Sequence, residues 1–132
     1  MATFRTSVAI AAMAMAVSSL SPWPMGRADA ALANGVIAPN FTAAGVQGGR
    51  RFSVSLAREL RRGPVVIYFF PRAFTTGCTI ESRAFAEAMP QFRRAGATVI
   101  GMSGDDIATL SRFSTETCRS AFPMASATPQ II

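Results

Sequence analysis

One uninterrupted apolar run constrains the fold more than any other feature of the sequence. Residues Val65–Phe70 are six consecutive apolar residues, and Pro64 and Pro71 bound them. A short run of β-favouring residues between such breakers is typical of a strand that is buried on both faces. Strands of this kind occur in parallel sheets whose faces are covered by helices. The run therefore indicates an α/β unit.

Helical and strand patterns alternate on the carboxyl side of this run. Apolar residues recur at helical spacing over residues 78–94. The pattern then predicts a second buried strand over 98–103, a second helix over 107–118 and the start of a third strand over 122–125. This order predicts a parallel core sheet with right-handed helical crossovers. In such sheets, reactive groups collect at the carboxyl ends of the strands.

The residues before the run give weaker signals. Asn34–Gln47 is typical of a loop, because it contains two glycines and a proline. A short strand is expected over residues 51–55 and a short helix over 56–62. Further along the chain, Asp105 is the expected N-cap of the second long helix.

The composition excludes several kinds of chemistry. The 132 residues have room for one domain, and they contain neither histidine nor lysine. Catalytic triads that need imidazole, histidine-ligated zinc and P-loop lysine chemistry are therefore excluded. The thirteen basic side chains, all arginine, give a net charge of +6. They are scattered and form no recognition motif, so we do not expect a nucleic-acid partner.

The first thirty residues have the features of an export signal. Arg5 precedes a weakly apolar run over residues 6–20, and Ala28-Asp29-Ala30 matches an A-x-A cleavage site. We expect residues 1–30 to be a cleaved signal peptide and residues 31–132 to be the mature domain. The protein would then be periplasmic or secreted in a bacterium, without stable membrane association. An uncleaved anchor or a misassigned start codon is the alternative.

Cys78 is the strongest candidate nucleophile. It lies a short loop beyond the first strand, at the predicted start of a helix. Unpaired backbone N–H groups and the helix dipole both favour a thiolate there. Thr75 could donate a hydrogen bond to the sulfur or to a substrate oxygen, and Pro71 would fix the loop and shield the thiolate from water. A buried structural cysteine or half of a structural disulfide is the alternative.

The residues around Cys78 resemble a known family. Pro71-Arg72-Ala73-Phe74-Thr75-Thr76-Gly77-Cys78 fits the P-x3-T-x2-C motif of the peroxiredoxins. The surrounding VVIYFFPRAFTTGCTIESRAF looks like the bacterioferritin-comigratory, or PrxQ-type, branch. The resemblance extends from about Ile37 to Pro123 and includes GATVIGMSGDD and FSTETCRSAFP.

The resemblance implies a thioredoxin-like fold and a thiol-dependent peroxidase. Its substrates would be hydrogen peroxide and organic hydroperoxides, and it would need no cofactor, metal or haem. Cys78 would be the peroxidatic cysteine, and its thiolate would become a sulfenic acid. Thr75 would hydrogen-bond the peroxide, while Pro71 would shape the pocket.

Cys118 is the candidate resolving cysteine under the same resemblance. Many PrxQ-type proteins carry that residue five positions after the peroxidatic cysteine, where this chain has Arg83. Others carry it in the following helix, where Cys118 is expected to face the core. A disulfide to Cys78 would need local unwinding, and a thioredoxin-like or other thiol reductant would recycle it. A buried inert thiol and a permanent structural disulfide remain alternatives.

The sequence departs from the family pattern after Pro123. The family core normally continues with a β-hairpin and a final helix, which we expect to be missing here. The arginine that helps the family to bind peroxide belongs to that segment, so no residue of this chain is assigned its role. A truncated, non-catalytic thioredoxin-like remnant is therefore the alternative function. No sequence feature indicates an oligomeric state.

Overall fold

Five strands and three helices follow one another along residues 32–132, the part of the chain that this computed structural model describes. In chain order they are β1 (Thr42–Gln47), β2 (Arg50–Ser55), α1 (Leu56–Leu60), β3 (Val65–Phe69), α2 (Thr76–Arg94), β4 (Thr98–Ser103), α3 (Ile107–Glu116) and β5 (Met124–Ser126). The expected signal peptide lies outside the described residues. Among residues 32–132, no helix is both long and apolar enough to cross a membrane.

The strands form one mixed sheet in the order β2-β1-β5-β4-β3. Strand β4 is parallel to both β3 and β5, whereas β1 is antiparallel to both β2 and β5. The predicted α/β class with a parallel core is confirmed. The antiparallel β1–β2 hairpin extends that core on the side of β5.

Strand β1 corrects the sequence prediction, which treated Asn34–Gln47 as a loop. Three small residues, Ala43-Ala44-Gly45, conceal the strand because they have low β-propensity. Pairing on both sides stabilises β1, and a Cβ on Gly45 would come within 2.5 Å of the Val54 side chain. Close strand packing therefore overrides local propensity.

The apolar run is less buried than its composition indicates. Strand β3 lies at one edge of the sheet, so Val65, Val66 and Ile67 are only half-buried. The fully buried parallel strand is instead β4, whose residues after Thr98 are all buried. The prediction of a strand at this position is confirmed, but its burial on both faces is not.

Helix α3 starts at Ile107 as predicted, but its N-cap and its end differ from the prediction. The N-cap is Asp106, whose Oδ1 accepts a hydrogen bond from the backbone N–H of Thr109 at 2.8 Å. Asp105, one residue earlier, has other partners. The helix ends at Glu116 because Arg119 and Ser120 adopt left-handed backbone conformations, with φ of 51° and 55°. Cys118 therefore lies in the turn after α3.

The core consists of two clusters, one on each face of the sheet. The larger cluster packs the sheet against α2 and α3 and includes Tyr68, Phe113 and both cysteines. The smaller cluster, on the other face, includes Val54, Ile100 and Met102. The larger cluster is the one that positions the candidate site.

Candidate functional site

Cys78 lies in the first turn of α2, one loop beyond the carboxyl end of β3. Thr75 is the N-cap in an extended conformation, and the first α2 hydrogen bond runs from the N–H of Thr79 to its carbonyl. The backbone N–H groups before Thr79 therefore lie at the positive end of the helix. The Cys78 side chain is buried, with 6% of its surface exposed. The expected placement at a helix N-terminus is confirmed.

The loop before Cys78 shows how Thr75 and Pro71 are placed. The Thr75 hydroxyl donates to the carbonyl of Arg72 at 3.2 Å, so it closes the loop. Pro71 and Arg72 are exposed, and Ala73 is the buried residue of the loop. The shielding of the thiol by Pro71 stays a prediction, since Pro71 is itself exposed in this conformation.

Phe74 closes the loop from the side of α3. It has a left-handed backbone, with φ of 64°, which is uncommon for a residue other than glycine. Its ring packs edge-on against Phe113 with the centroids 5.1 Å apart, and the Arg112 guanidinium lies 5.5 Å from the ring centre. These contacts hold a backbone conformation that Phe74 would otherwise avoid.

Asp105 connects the same loop to the sheet. Its Oδ2 accepts hydrogen bonds from the Ala73 backbone N–H at 2.7 Å and from the Ser103 hydroxyl at 2.8 Å. Its backbone carbonyl accepts from the Ser126 hydroxyl at 2.8 Å. The sequence pattern does not reveal these contacts, because it places Asp105 at the helix cap. An N-cap side chain accepts from the backbone N–H three residues later, which for Thr109 identifies Asp106 as the cap. This spacing could have distinguished the two aspartates in the sequence.

Cys118 lies in the same core cluster as Cys78, and both thiols are free. Its side chain is fully buried, and this burial raises its pKa to about 11, although the adjacent Ser82 hydroxyl and the Arg83 charge act in the opposite direction. Ser82 is four residues after Cys78 and therefore lies on the same face of α2. The two cysteines thus belong to one buried region, with Ser82 next to Cys118.

A cavity of about 470 Å³ borders the turn that carries Cys118. Arg83, Glu87, Glu116 and Arg119 contribute charges of both signs to its wall. Arg83, which occupies the position where many PrxQ-type proteins have their resolving cysteine, therefore faces the Cys118 region. Within residues 32–132, no three histidine, cysteine or acidic side chains come together as metal ligands would.

A buried thiol in the first turn of a helix, after a strand of a partly parallel sheet, defines an α/β protein with a thiol site. The model of the AhpC/TSA family matches residues 35–130, so the chain belongs to the AhpC/TSA family of peroxiredoxins. The predicted family is therefore confirmed.

Curated relatives carry the name peroxiredoxin Q. The protein of japonica rice is 44% identical over 82 residues, which cover 62% of this chain and 36% of the rice protein. The wheat protein is 38% identical over 101 residues, which cover 72% of this chain and 45% of the relative. The chain thus matches less than half the length of these two relatives.

Solved structures confirm the thioredoxin-like fold. Peroxiredoxin Q of Xanthomonas campestris superposes with a TM-score of 0.58 at 32% identity, over 65% of this chain and 52% of that one. Peroxidoxin BcpB of Mycobacterium tuberculosis gives a TM-score of 0.60 at 30% identity, over 67% and 55%. The expected absence of a C-terminal hairpin and helix stays a prediction.

The predicted location is wrong. The rice and wheat relatives are both named as chloroplastic proteins, which points to a plastid and not to a bacterial periplasm or secretion. The error came from the first thirty residues, because an arginine, a short apolar run and an A-x-A site were assigned to bacterial export.

Proposed function

We propose that this protein is a thiol-dependent peroxidase that reduces hydrogen peroxide and organic hydroperoxides through Cys78. The observation that carries the proposal is the position of Cys78. It is the last residue of the P-x3-T-x2-C motif, and it lies in the first turn of α2 within the region that matches the AhpC/TSA family. The helix N-terminus stabilises negative charge on sulfur.

In the proposed reaction, the Cys78 thiolate attacks one oxygen of the peroxide bond. The S–O bond forms while the O–O bond breaks, and sulfur becomes a sulfenic acid. The other oxygen leaves with the electron pair and takes up a proton, giving water or an alcohol. Thr75, at the N-cap, donates a hydrogen bond to the peroxide after its hydroxyl turns away from the Arg72 carbonyl. Pro71 restricts the loop and shapes the pocket.

We assign the resolving step to Cys118. Its thiol attacks the sulfur of the Cys78 sulfenic acid, which gives a disulfide and one water. Membership of both cysteines in one core cluster supports this step. Because Cys118 is fully buried and its pKa is raised, the turn after α3 must open before a thiolate forms there. An external thiol reductant, thioredoxin-like or other, then returns both cysteines to the thiol state.

Peptide mapping after a single oxidation tests both steps. The reduced full chain receives one equivalent of hydrogen peroxide, is quenched with an alkylating reagent at short times and is digested without reductant. We expect a Cys78–Cys118 disulfide in the parent protein and a sulfenic acid at Cys78 in Cys118→Ser. Cys78→Ser is the matched control, and it should consume peroxide no faster than a variant without cysteines.

The outcomes separate the two steps. Parent-like peroxide consumption by Cys78→Ser would show that Cys78 is not the peroxidatic residue. Rapid oxidation of Cys78 with Cys118 still alkylated would leave the peroxidase intact but remove Cys118 as the resolving residue. If both thiols stay reduced, the proposed function is wrong. The non-catalytic remnant is not favoured, because the motif cysteine lies at an intact helix N-terminus.

A further inference from the structure

Asp105 joins three segments that meet at the thiol site. Its side chain accepts from the Ala73 backbone in the loop before α2, and it is held in turn by Ser103 at the end of β4. The Ser103 hydroxyl also accepts from the Asp105 backbone N–H at 3.1 Å, which closes a small ring. Ser126 of β5 binds the Asp105 carbonyl. The carboxylate therefore has a fixed position relative to two buried strands.

The hydrogen bond from Ala73 to Asp105 lies next to the residue of the loop that has an unfavourable backbone conformation. Hydrogen bonds from backbone N–H groups to carboxylates are stronger than those between neutral groups. The next residue, Phe74, has the left-handed backbone, and Thr75 and Cys78 follow within four residues. The Phe113 contact holds the Phe74 ring on one side, and Asp105 holds the Ala73 backbone on the other.

We propose that Asp105 is a positioning residue for Cys78. Its carboxylate holds the loop over residues 71–75 in the conformation that sets the direction of the Thr75 hydroxyl and of the first turn of α2. Asp105 acts through the loop and takes no part in the chemical step. This inference rests on the proposed peroxidase function.

The test compares Asp105→Ala with Asp106→Ala in the full chain. Asp106 is a matched control because it is the adjacent carboxylate and caps α3 without contacting the loop. We measure the second-order rate of Cys78 oxidation by hydrogen peroxide, amide exchange over residues 71–75 and the free energy of unfolding. We expect Asp105→Ala to slow Cys78 oxidation by about 10²-fold, the cost of a small misplacement of reacting groups. Amide exchange at 71–75 should accelerate.

Asp105→Asn distinguishes positioning from general stability. The amide oxygen of asparagine can still accept from Ala73 but lacks the charge, so we expect the oxidation rate to recover to within roughly tenfold of the parent. Asp106→Ala should keep the parent rate of Cys78 oxidation, even if its free energy of unfolding falls as far as that of Asp105→Ala. A parent-like oxidation rate in Asp105→Ala overturns the inference, and so does an equal decrease of the oxidation rate in both alanine variants.

Failure of the proposed function gives a different result. In that case the parent itself does not oxidise Cys78, and amide exchange together with alkylation of Cys78 by iodoacetamide decides the positioning role. Faster exchange at 71–75 and a changed alkylation rate in Asp105→Ala alone support it. Unchanged values in that variant contradict it.

Discussion

Ser82 gives Tyr68 and Cys118 a shared polar neighbour inside the core. The Tyr68 and Ser82 hydroxyls lie 3.0 Å apart and form a buried hydrogen bond. Burial raises the pKa of Tyr68, and the hydrogen bond to Ser82 acts in the opposite direction. Because Ser82 also lies beside Cys118, one hydroxyl influences two titratable groups.

Removal of the Ser82 hydroxyl should therefore lower the free energy of unfolding more than removal of the Tyr68 hydroxyl. Ser82→Ala leaves a buried phenol without its hydrogen-bond partner, for which we expect a loss of about 1–3 kcal/mol in the free energy of unfolding. Tyr68→Phe should cost less, because the small serine hydroxyl can turn to another acceptor. The double variant should lose less than the sum of the single changes, as measured by urea unfolding. Strict additivity would show that the bond contributes nothing.

At the scale of elements, the sequence identified the strands and helices whose pattern is strong. The apolar run predicted β3, residues 98–103 predicted β4, and helical spacing predicted α2. Strand β1 could not be found, because Ala43-Ala44-Gly45 carries no apolar alternation and its stability comes from pairing with β2 and β5. Local pattern also could not show that β3 is an edge strand, since burial depends on which strand becomes its neighbour.

The candidate site likewise has residues that the sequence predicted and contacts that it did not. A motif placed Cys78 and Thr75, because the backbone geometry of a helix start is local. The partners of Asp105 and the common cluster of Cys78 and Cys118 join residues 32 and 40 positions apart in the sequence. Such contacts follow from the sheet order, which a single sequence does not contain.

Close packing of β4 gives a prediction at Gly101. A Cβ there would lie 2.6 Å from the Met124 sulfur and 2.8 Å from the Tyr68 hydroxyl oxygen. We expect Gly101→Ala to lower the free energy of unfolding by about 1–3 kcal/mol, as overpacking usually does. Gly104→Ala is the control, because nothing lies within 4 Å of its Cβ position. Equal melting temperatures for the two variants would contradict the tight fit.

For the molecule as a whole, the buried titratable groups predict a loss of stability at high pH. Burial raises the pKa of Cys118 from 9.0 to about 11, so the unfolded chain loses this proton first as the pH rises. The contribution is complete below about pH 9 and is lost as the pH rises through about 11. Tyr68 acts in the same direction, beginning near its ordinary value of 10.0.

Urea unfolding between pH 8 and 11 measures this effect. The free energy of unfolding should fall steadily above about pH 9 in the parent. Cys118→Ala should flatten the decline between pH 9 and 10, and Tyr68→Phe should flatten it above pH 10. A parent curve that stays level to pH 11 would show that both groups titrate alike in the folded and unfolded states. A Cys118→Ala curve with the parent slope would show this for Cys118.

The position of β5 has a consequence for how the molecule forms during synthesis. This three-residue strand is the last in the described chain, yet it joins the β1–β2 hairpin to the β3–β4 pair and supplies Ser126 to Asp105. A nascent chain can form the hairpin and the β3-α2-β4 segment separately, because the strand pairs of each lie within that segment. The two halves can join into one sheet only after the ribosome has released β5. Until then both halves expose unpaired strand edges, which is the interval in which such a chain is most open to aggregation or to capture by a chaperone.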